Sequence, residues 1–460
     1  MRISFHGAAR EVSGSCHLLE VKGKKILIDC GSFFGGRVNE AENKKPFGFN
    51  PEEIDYLVLS HAHGDHCGRI PLLVKQGFEG EILTTSASKD LSEIMLIDSA
   101  HIQQRDAERE ARKNPKYAPK PLYTTSDVYN ALGLFNGTLN YDEEIEIDEG
   151  IKLKLFDAGH ILGSASISFE IKEGRKKRNV IFSGDIGNND KPIVCNPTPP
   201  PQSDIVVMES TYGNRSHKPF EESVREFYSA INEAFNSGGN AVIPVFAIER
   251  TQEILYLIKE GLESGELPHD LEVYLDSPMA IKATKVFINH PEYFDKETRK
   301  LFKPNNNPFT FPTLTFTQTT EESKAINDIK TGAIILAGSG MANAGRVVHH
   351  LKRNLPRKEC SVIIVSFASQ GTLARRLVDG NKSVYIHGQY VPVKAKIHTI
   401  GGFSAHAGQD ELLEWHESTK KPKNTFLTHG QEDAMGTLGE KLRAKGLKVE
   451  MPEKHFAYDL

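Results

Sequence analysis

His61-Ala62-His63-Gly64-Asp65-His66 follows directly on the apolar run Tyr56-Leu57-Val58-Leu59-Ser60, and the reading of this stretch decides the rest of the chain. In an extended loop, residues two apart face the same way, so His61 and His63 can share one cation. Gly64 permits a sharp turn, after which Asp65 and His66 are presented in another direction, toward a second cation. Imidazole and carboxylate suit zinc at about 2.0–2.2 Å. Three histidines and an aspartate at one strand–loop–helix junction have few structural explanations.

Two cations need more donors, and the same local pattern recurs. Leu153-Lys154-Leu155-Phe156-Asp157-Ala158-Gly159-His160 is a strand that ends in a glycine and then a histidine. Asn179-Val180-Ile181-Phe182-Ser183-Gly184-Asp185 ends in a glycine and then an aspartate, and Asn424-Thr425-Phe426-Leu427-Thr428-His429-Gly430 ends in a further histidine. A carboxylate can bridge two cations, which makes Asp185 the natural shared ligand. Two further residues read as catalytic. His406 sits in the small-residue loop Gly401-Gly402-Phe403-Ser404-Ala405-His406, and Glu209 closes the strand Ile205–Met208. A Glu209–His406 pair would hold the imidazole protonated, ready to donate to a leaving oxygen; the alternative is a capping glutamate and a solvated histidine. Asp29, at the end of Lys25-Ile26-Leu27-Ile28, is either a carboxylate that orients a ligand histidine or a turn residue.

Beyond these motifs the chain reads as two kinds of structure. The first part is strand-rich, with a hairpin over 16–29, a strand over 54–60, a helix over 88–112 and short strands between 138 and 183. Asn196-Pro197-Thr198-Pro199-Pro200-Pro201 marks a boundary. Helices then alternate with apolar strands: helix 219–237, strand 240–246, helix 249–262, strand 271–275 and helix 278–289. The alternation resumes with helix 321–330, strand 333–337, helix 343–354 and strand 361–365. This is the signature of a parallel sheet covered on both faces. Strands return over 381–399, followed by helix 409–418, strand 424–428 and helix 433–445. An α/β module therefore interrupts a β-rich one.

Composition narrows the function classes. With 460 residues, 38 % hydrophobic and 25 % charged, the chain is long enough for two globular domains. No apolar run approaches the roughly 18 residues that cross a bilayer, so no membrane role is expected. Five scattered cysteines form no CxxC pair, and together with the absence of a signal-peptide pattern they favour a cytoplasmic protein. A formal net charge of −5 excludes a general polycation, so a nucleic-acid substrate would need local basic surface. Candidates are Arg105, Arg109, Arg112, Lys113 and Lys116; Arg175, Lys176, Lys177 and Arg178; Lys352, Arg353, Arg357 and Lys358; and Arg375 with Arg376.

Taken together, the HAHGDH stretch with Asp29, His160 and Asp185 resembles the metallo-β-lactamase superfamily. Glu209 in Glu-Ser-Thr-Tyr-Gly, His406 in Phe-Ser-Ala-His and His429 in Thr-His-Gly resemble the extra motifs of its β-CASP branch of RNA-processing nucleases. Pro244–Glu253, Gly338–Met341 and Gly371–Arg376 add supporting matches. The resemblance implies an α/β fold, an αββα metallo-β-lactamase sandwich split by an inserted parallel α/β β-CASP domain. The expected bounds are 1–208 and 386–460 for the sandwich and 209–385 for the insertion. It implies two Zn2+ per chain in a cleft between the domains, one held by His61, His63 and His160, the other by Asp65, His66 and His429, with Asp185 shared. In this family a histidine at the position of His429 goes with RNA rather than DNA. The expected activity is therefore hydrolysis of RNA phosphodiester bonds, with Asp65 taking the proton of the attacking water and His406, supported by Glu209, protonating the departing 3′-oxygen. Imidazole–carboxylate sites also accept manganese.

Phosphate or RNA contacts are expected from Ser339, Gly340, Gly371, Thr372, Arg250 and Arg375, where the alternative is a set of ordinary turns. A homodimer is compatible with this reading. Two rival functions are a small-molecule metallo-hydrolase of the same superfamily and a silent RNA-binding scaffold. The inserted domain and His406 weigh against the first, and the complete donor set weighs against the second.

Overall fold

A computed structural model describes residues 1–114, 119–302 and 307–460, with the side chain of Arg37 also set aside; Lys116 of the first basic cluster lies outside the described residues. The chain divides into two compact units. One comprises residues 1–189, 194–216 and 406–460; the other comprises 190–193 and 217–405. The second is thus inserted into the sequence of the first.

The first unit holds two seven-stranded sheets. One runs from Ala457–Asp459 through Arg2–Gly7, Cys16–Val21, Lys24–Ile28, Tyr56–Val58 and Glu81–Thr84 to Gly137–Thr138. The other runs from Val449–Glu450 through Asn424–Thr428, Ile205–Glu209, Lys176–Phe182, Ala165–Glu173 and Ile151–Asp157 to Glu144–Asp148. Alternation along each strand sends one set of apolar side chains between the sheets and the other set outward. Phe5, Leu19, Ile26, Val58, Leu153, Ile167, Phe169, Val180, Val207 and Phe426 fill the interior. On one outer face Leu27, Leu57 and Ile82 pack with Ile70, Leu96 and Val128 from helices. On the other, Ile181, Val206, Met208 and Leu427 pack with Leu412, Trp415, Met435 and Leu438. Helix, sheet, sheet and helix layers result, as the family resemblance implies.

The second unit is built on a six-stranded sheet in the order Leu314–Phe316, Glu272–Asp276, Ala333–Ala337, Ala241–Pro244, Ser361–Ile364, Lys396–Thr399, with every pair parallel. Helices Phe220–Asn236, Arg250–Ser264 and Pro278–Asn289 cover one face, and Val347–Asn354 and Leu373–Val378 the other. This unit reaches Ala405 rather than 385, because Lys396–Thr399 joins its sheet beside Ser361–Ile364. It starts after Ser216 rather than at 209, because Ile205–Glu209 pairs with Asn424–Thr428 in the first unit.

Most elements lie within a residue or two of their expected spans, with instructive differences. The helix expected at 343–354 starts only at Val347, since Ala342 and Gly345 are left-handed (φ 57° and 80°) and end any helix before it. The helix expected at 321–330 closes at Ala325 and tightens into a 3₁₀ turn over Ile326–Asp328. The region 381–399 resolves into Ser383–Ile386, Gln389–Pro392 and Lys396–Thr399, the first two forming a separate hairpin. Among the described residues no helix is long and apolar enough to cross a membrane.

Candidate metal centre

All the expected ligand and catalytic side chains lie in the first unit; most stand at or just beyond a strand end, while Asp65 and His66 lie on the short helix Gly64–Cys67. Tyr56–Val58 leads into the histidine-rich loop, Ile151–Asp157 into His160, Lys176–Phe182 into Asp185 and Asn424–Thr428 into His429. The loops are held by close backbone approach. A Cβ on Gly31 would lie 1.5 Å from the Asp65 carbonyl oxygen, and one on Gly187 would lie 1.8 Å from the Gly159 carbonyl oxygen, so only glycine fits at either position.

The donors gather into two clusters. In the first, His63 Nδ1 lies 3.1 Å from His61 Nε2 and 3.1 Å from His160 Nε2. Asp185 Oδ2 completes it, 3.5 Å from both His61 Nε2 and His160 Nε2. In the second, His66 Nε2 and His429 Nε2 are 3.2 Å apart, Asp65 Oδ2 is 3.6 Å from His429 Nε2, and Asp185 Oδ1 is 3.3 Å from His66 Nε2. Zn–N bonds of about 2.0–2.1 Å give a tetrahedral edge of about 3.3–3.4 Å, close to these separations. Asp185 Oδ1 is buried and has no hydrogen-bond donor among the described residues. A buried carboxylate oxygen surrounded by lone-pair donors is the donor chemistry a cation satisfies.

Neighbouring side chains fix the ring orientations. Asp29 Oδ2 lies 2.7 Å from His66 Nδ1, which turns Nε2 toward the second cluster. Asp29 also accepts the Ser60 N–H at 2.8 Å and the Ser60 and Ser15 hydroxyls at 2.9 Å and 3.2 Å, so it is an orienting carboxylate and not a solvent-facing turn residue. Ser60 Oγ reaches His61 Nδ1 at 3.0 Å, and Thr211 Oγ1 reaches His429 Nδ1 at 3.0 Å. Ser60 and Thr211 were not singled out by the sequence. Their positions, one residue before His61 and two after Glu209, are the only signal, and a serine or threonine there is commonplace.

Glu209 Oε1 lies 3.1 Å from His406 Nδ1 and also accepts the Ile186 N–H at 2.7 Å, while Glu209 Oε2 accepts the Thr211 N–H at 3.2 Å. The expected pair is therefore formed. Burial alone would lower the His406 pKa, but the Glu209 and Asp185 carboxylates outweigh it and raise it to about 9. Burial likewise opposes charge on His66, yet Asp185 and Asp29 hold it well above the ordinary range. His61 is driven well below that range by burial and the His66 charge, and His63 falls to about 4, chiefly through burial. For Asp185, burial is outweighed by the His429, His66 and His406 charges, which hold its carboxyl well down. By distance alone, Asp185, Glu209, His406 and His429 also form a possible donor group.

The remaining candidates lie in the second unit. Ser339 and Gly340 follow Ala333–Ala337, and Gly371 and Thr372 follow Ser361–Ile364. Thr372 Oγ1 caps the next helix by accepting the Arg375 N–H at 3.1 Å, and the Arg375 side chain pairs with Asp379 at 2.9 Å. Arg250 is buried and paired with Glu253 one helical turn away, so its guanidinium serves the interior and not the surface.

Comparisons with known proteins place the chain in a family. The family model "Metallo-beta-lactamase superfamily" matches residues 9–244, the "Beta-Casp domain" matches 251–377 and the "Zn-dependent metallo-hydrolase RNA specificity domain" matches 390–452. The chain is 39 % identical to Ribonuclease TTHA0252 of Thermus thermophilus, over 98 % of each chain. It is 32 % identical to Transcription termination factor FttA of Methanocaldococcus jannaschii, over 94 % of this chain and 67 % of that one. An RNase J-like protein of the same archaeon is 30 % identical over 93 % of this chain and 92 % of its own. A crystal structure of a protein of unknown function from Enterococcus faecalis covers the whole chain with a TM-score of 0.58 at 13 % identity, a likeness of fold alone.

Proposed function

This chain belongs to the β-CASP branch of the metallo-β-lactamase superfamily, and on that premise we propose that it is a cytoplasmic, zinc-dependent ribonuclease that hydrolyses RNA phosphodiester bonds. The observation that carries this reading is the division of Asp185, with Oδ2 beside His61 and His160 and Oδ1 beside His66. In this reading His61, His63 and His160 hold one zinc, Asp65, His66 and His429 hold the other, and Asp185 is shared. When bound, the two cations would lower the pKa of a water to about 7 and neutralise charge on the scissile phosphate.

The chain's own groups do the rest. Asp65 takes the proton of the attacking water. His406, with Nδ1 held by Glu209 and its pKa raised to about 9, carries a proton at neutral pH and delivers it from Nε2 to the departing 3′-oxygen. The products are a 5′-phosphate and a 3′-hydroxyl. Ser339, Gly340, Gly371, Thr372 and Arg375 contact phosphates of the RNA. Asp29 keeps the His66 ring aligned. The names of the relatives, a ribonuclease and transcription termination factors, support RNA over a small-molecule substrate.

The test is direct. Purified protein is incubated with 5′-labelled and internally labelled RNA, with zinc or with chelator, and the new ends are mapped. Cleavage that needs the metal and leaves 5′-phosphates is expected. RNA left whole by metal-loaded protein that turns over a lactam or thioester would replace this reading with the small-molecule one.

A further inference from the structure

The charge of this chain is unevenly spread. The whole carries −5, yet residues 329–409 hold eleven lysines and arginines against two acids, Glu359 and Asp379, and none of the residues 380–409 is acidic. Within that basic segment stands the hairpin Ser383–Ile386 and Gln389–Pro392. Its turn is His387-Gly388, both left-handed (φ 45° and 82°), the conformation that matches the twist of a two-residue hairpin. Its inner face is apolar: Val384, Ile386 and Val391 pack against Val348, Leu351 and Leu355 of the helix Val347–Asn354 and its C-cap.

Its outer face does something else. Tyr385 and Tyr390 lie directly opposite each other, with ring centroids 5.3 Å apart, and remain 55 % and 76 % exposed. The basic edge of the helix is fastened alongside at two points. His349 stacks on His387 with centroids 4.6 Å apart, and the Lys394 N–H donates to the Leu355 carbonyl at 2.8 Å. Helical spacing puts Arg353 on the same side as His349, with Lys352 next to it. Among the described residues Lys352, Arg353, Lys382 and Lys394 have no ion-pair partner, whereas Arg346, Arg357, Arg375 and Lys396 are paired with acids.

Exposed rings amid unneutralised cations are the two components of a single-strand nucleic-acid surface, since every base has a face to stack and every linkage a charge to meet. We propose that the outer face of this hairpin, with the Lys352–Arg353 edge of the neighbouring helix, is a stacking platform that grips single-stranded RNA. It rests on the ribonuclease reading only for the choice of polyanion. Paired bases turn only their edges outward, so a duplex gains nothing from the tyrosines. A second copy is the other occupant such rings suggest, but a two-fold interface would set this cationic patch against itself.

The test uses the metal-loaded full-length chain and a labelled, nuclease-resistant phosphorothioate oligouridylate, read by fluorescence anisotropy. Replacing both rings (Y385A/Y390A) should weaken binding on the order of 10-fold for each ring, while Y385F/Y390F keeps the affinity to within about twofold, because stacking uses the ring and not the hydroxyl. The K352E/R353E variant should flatten the dependence of log K on log salt by about 0.7 for each phosphate it no longer neutralises. Y390W guards against a misfolded variant: its indole should be quenched by oligouridylate and not by a duplex, over a background from the single buried Trp415. Equal affinity of wild type and Y385A/Y390A overturns the proposal, as does an unquenched indole. So does a wild-type dimer that becomes monomeric in Y385A/Y390A with RNA binding unchanged, which would make the face an interface between copies. Failure of the ribonuclease reading looks different: unmodified labelled RNA, incubated with the metal-loaded wild type in parallel, is bound and never cut.

Discussion

Two buried aspartates, Asp185 in the first unit and Asp276 in the second, face histidines and differ in what else surrounds them. Every neighbour of Asp276 brings a hydrogen. Oδ1 accepts from Thr317 Oγ1 at 2.6 Å and Arg346 at 2.7 Å, and Oδ2 accepts from Ser323 Oγ at 2.7 Å and lies 2.6 Å from His350 Nε2. Around Asp185 the nearest side-chain nitrogens are those of His66, His61 and His160 at 3.3–3.5 Å, and Oδ1 has no donor among the described residues. The first arrangement is electrostatically complete as protein. The second leaves Oδ1 without a hydrogen-bond donor, free to meet a cation. Burial and a histidine neighbour therefore do not mark a metal ligand; the supply of hydrogen-bond donors does.

The comparison can be broken by substitution. Asp185→Ala should abolish RNA turnover and lower the bound metal read by elemental analysis, and full metal content in that variant would refute the shared-ligand role. His406→Ala should reduce kcat by about 10²–10⁴-fold while keeping the metal, which separates a proton donor from a member of the donor cluster. Asp276→Ala should act on stability instead. It strands Arg346 and His350 without their carboxylate at a cost of about 3–5 kcal/mol, read by denaturant unfolding, with activity per folded molecule preserved.

The Asp276 contribution also has a pH signature. Burial alone would raise its pKa, but the His350, Ser323, Thr317 and Arg346 hydrogen bonds outweigh burial and hold it at about 2. Its stabilisation is present above pH about 4 and is lost as pH falls toward 2.

Smaller effects sharpen the contrast. Asp29→Asn should weaken metal affinity by about 10–100-fold, measured by competition with a chelating dye, because the His66 ring loses its orienting carboxylate. Glu209→Gln should move the alkaline limb of the pH–rate profile to lower pH. The donor form of His406 persists below its raised pKa and is lost as pH rises through it, and Glu209 leads the groups that raise it. An unmoved limb would remove His406 as the titrating group.

Much of this was legible in the chain itself. Strands ending in Gly-His or Gly-Asp announced His160 and Asp185, because a donor just past a strand end needs no tertiary knowledge to be noticed. The alternation of helices and apolar strands announced the parallel sheet. What escaped depends on residues far apart in the chain. Ala457–Asp459 joins the first sheet by pairing with Arg2–Gly7, a partnership no local pattern encodes. Ser60 and Thr211 matter only because of the rings they touch. Arg250, expected to contact phosphate, is buried and paired with Glu253, which its place in the sequence does not reveal. The Tyr385–Tyr390 face is visible only once the opposite side of the hairpin is seen to be covered.

One consequence follows from the order of the donors along the polypeptide. His61, His63, His160 and Asp185 precede the inserted unit, and His406 and His429 follow it. On the proposed assignment, the proton donor and one ligand of the second cation are therefore synthesised only after the whole inserted unit. Chains ending before His406 also lack Asn424–Thr428, the strand beside Ile205–Glu209, and should leave RNA whole; cleavage by such fragments would count against the assignment.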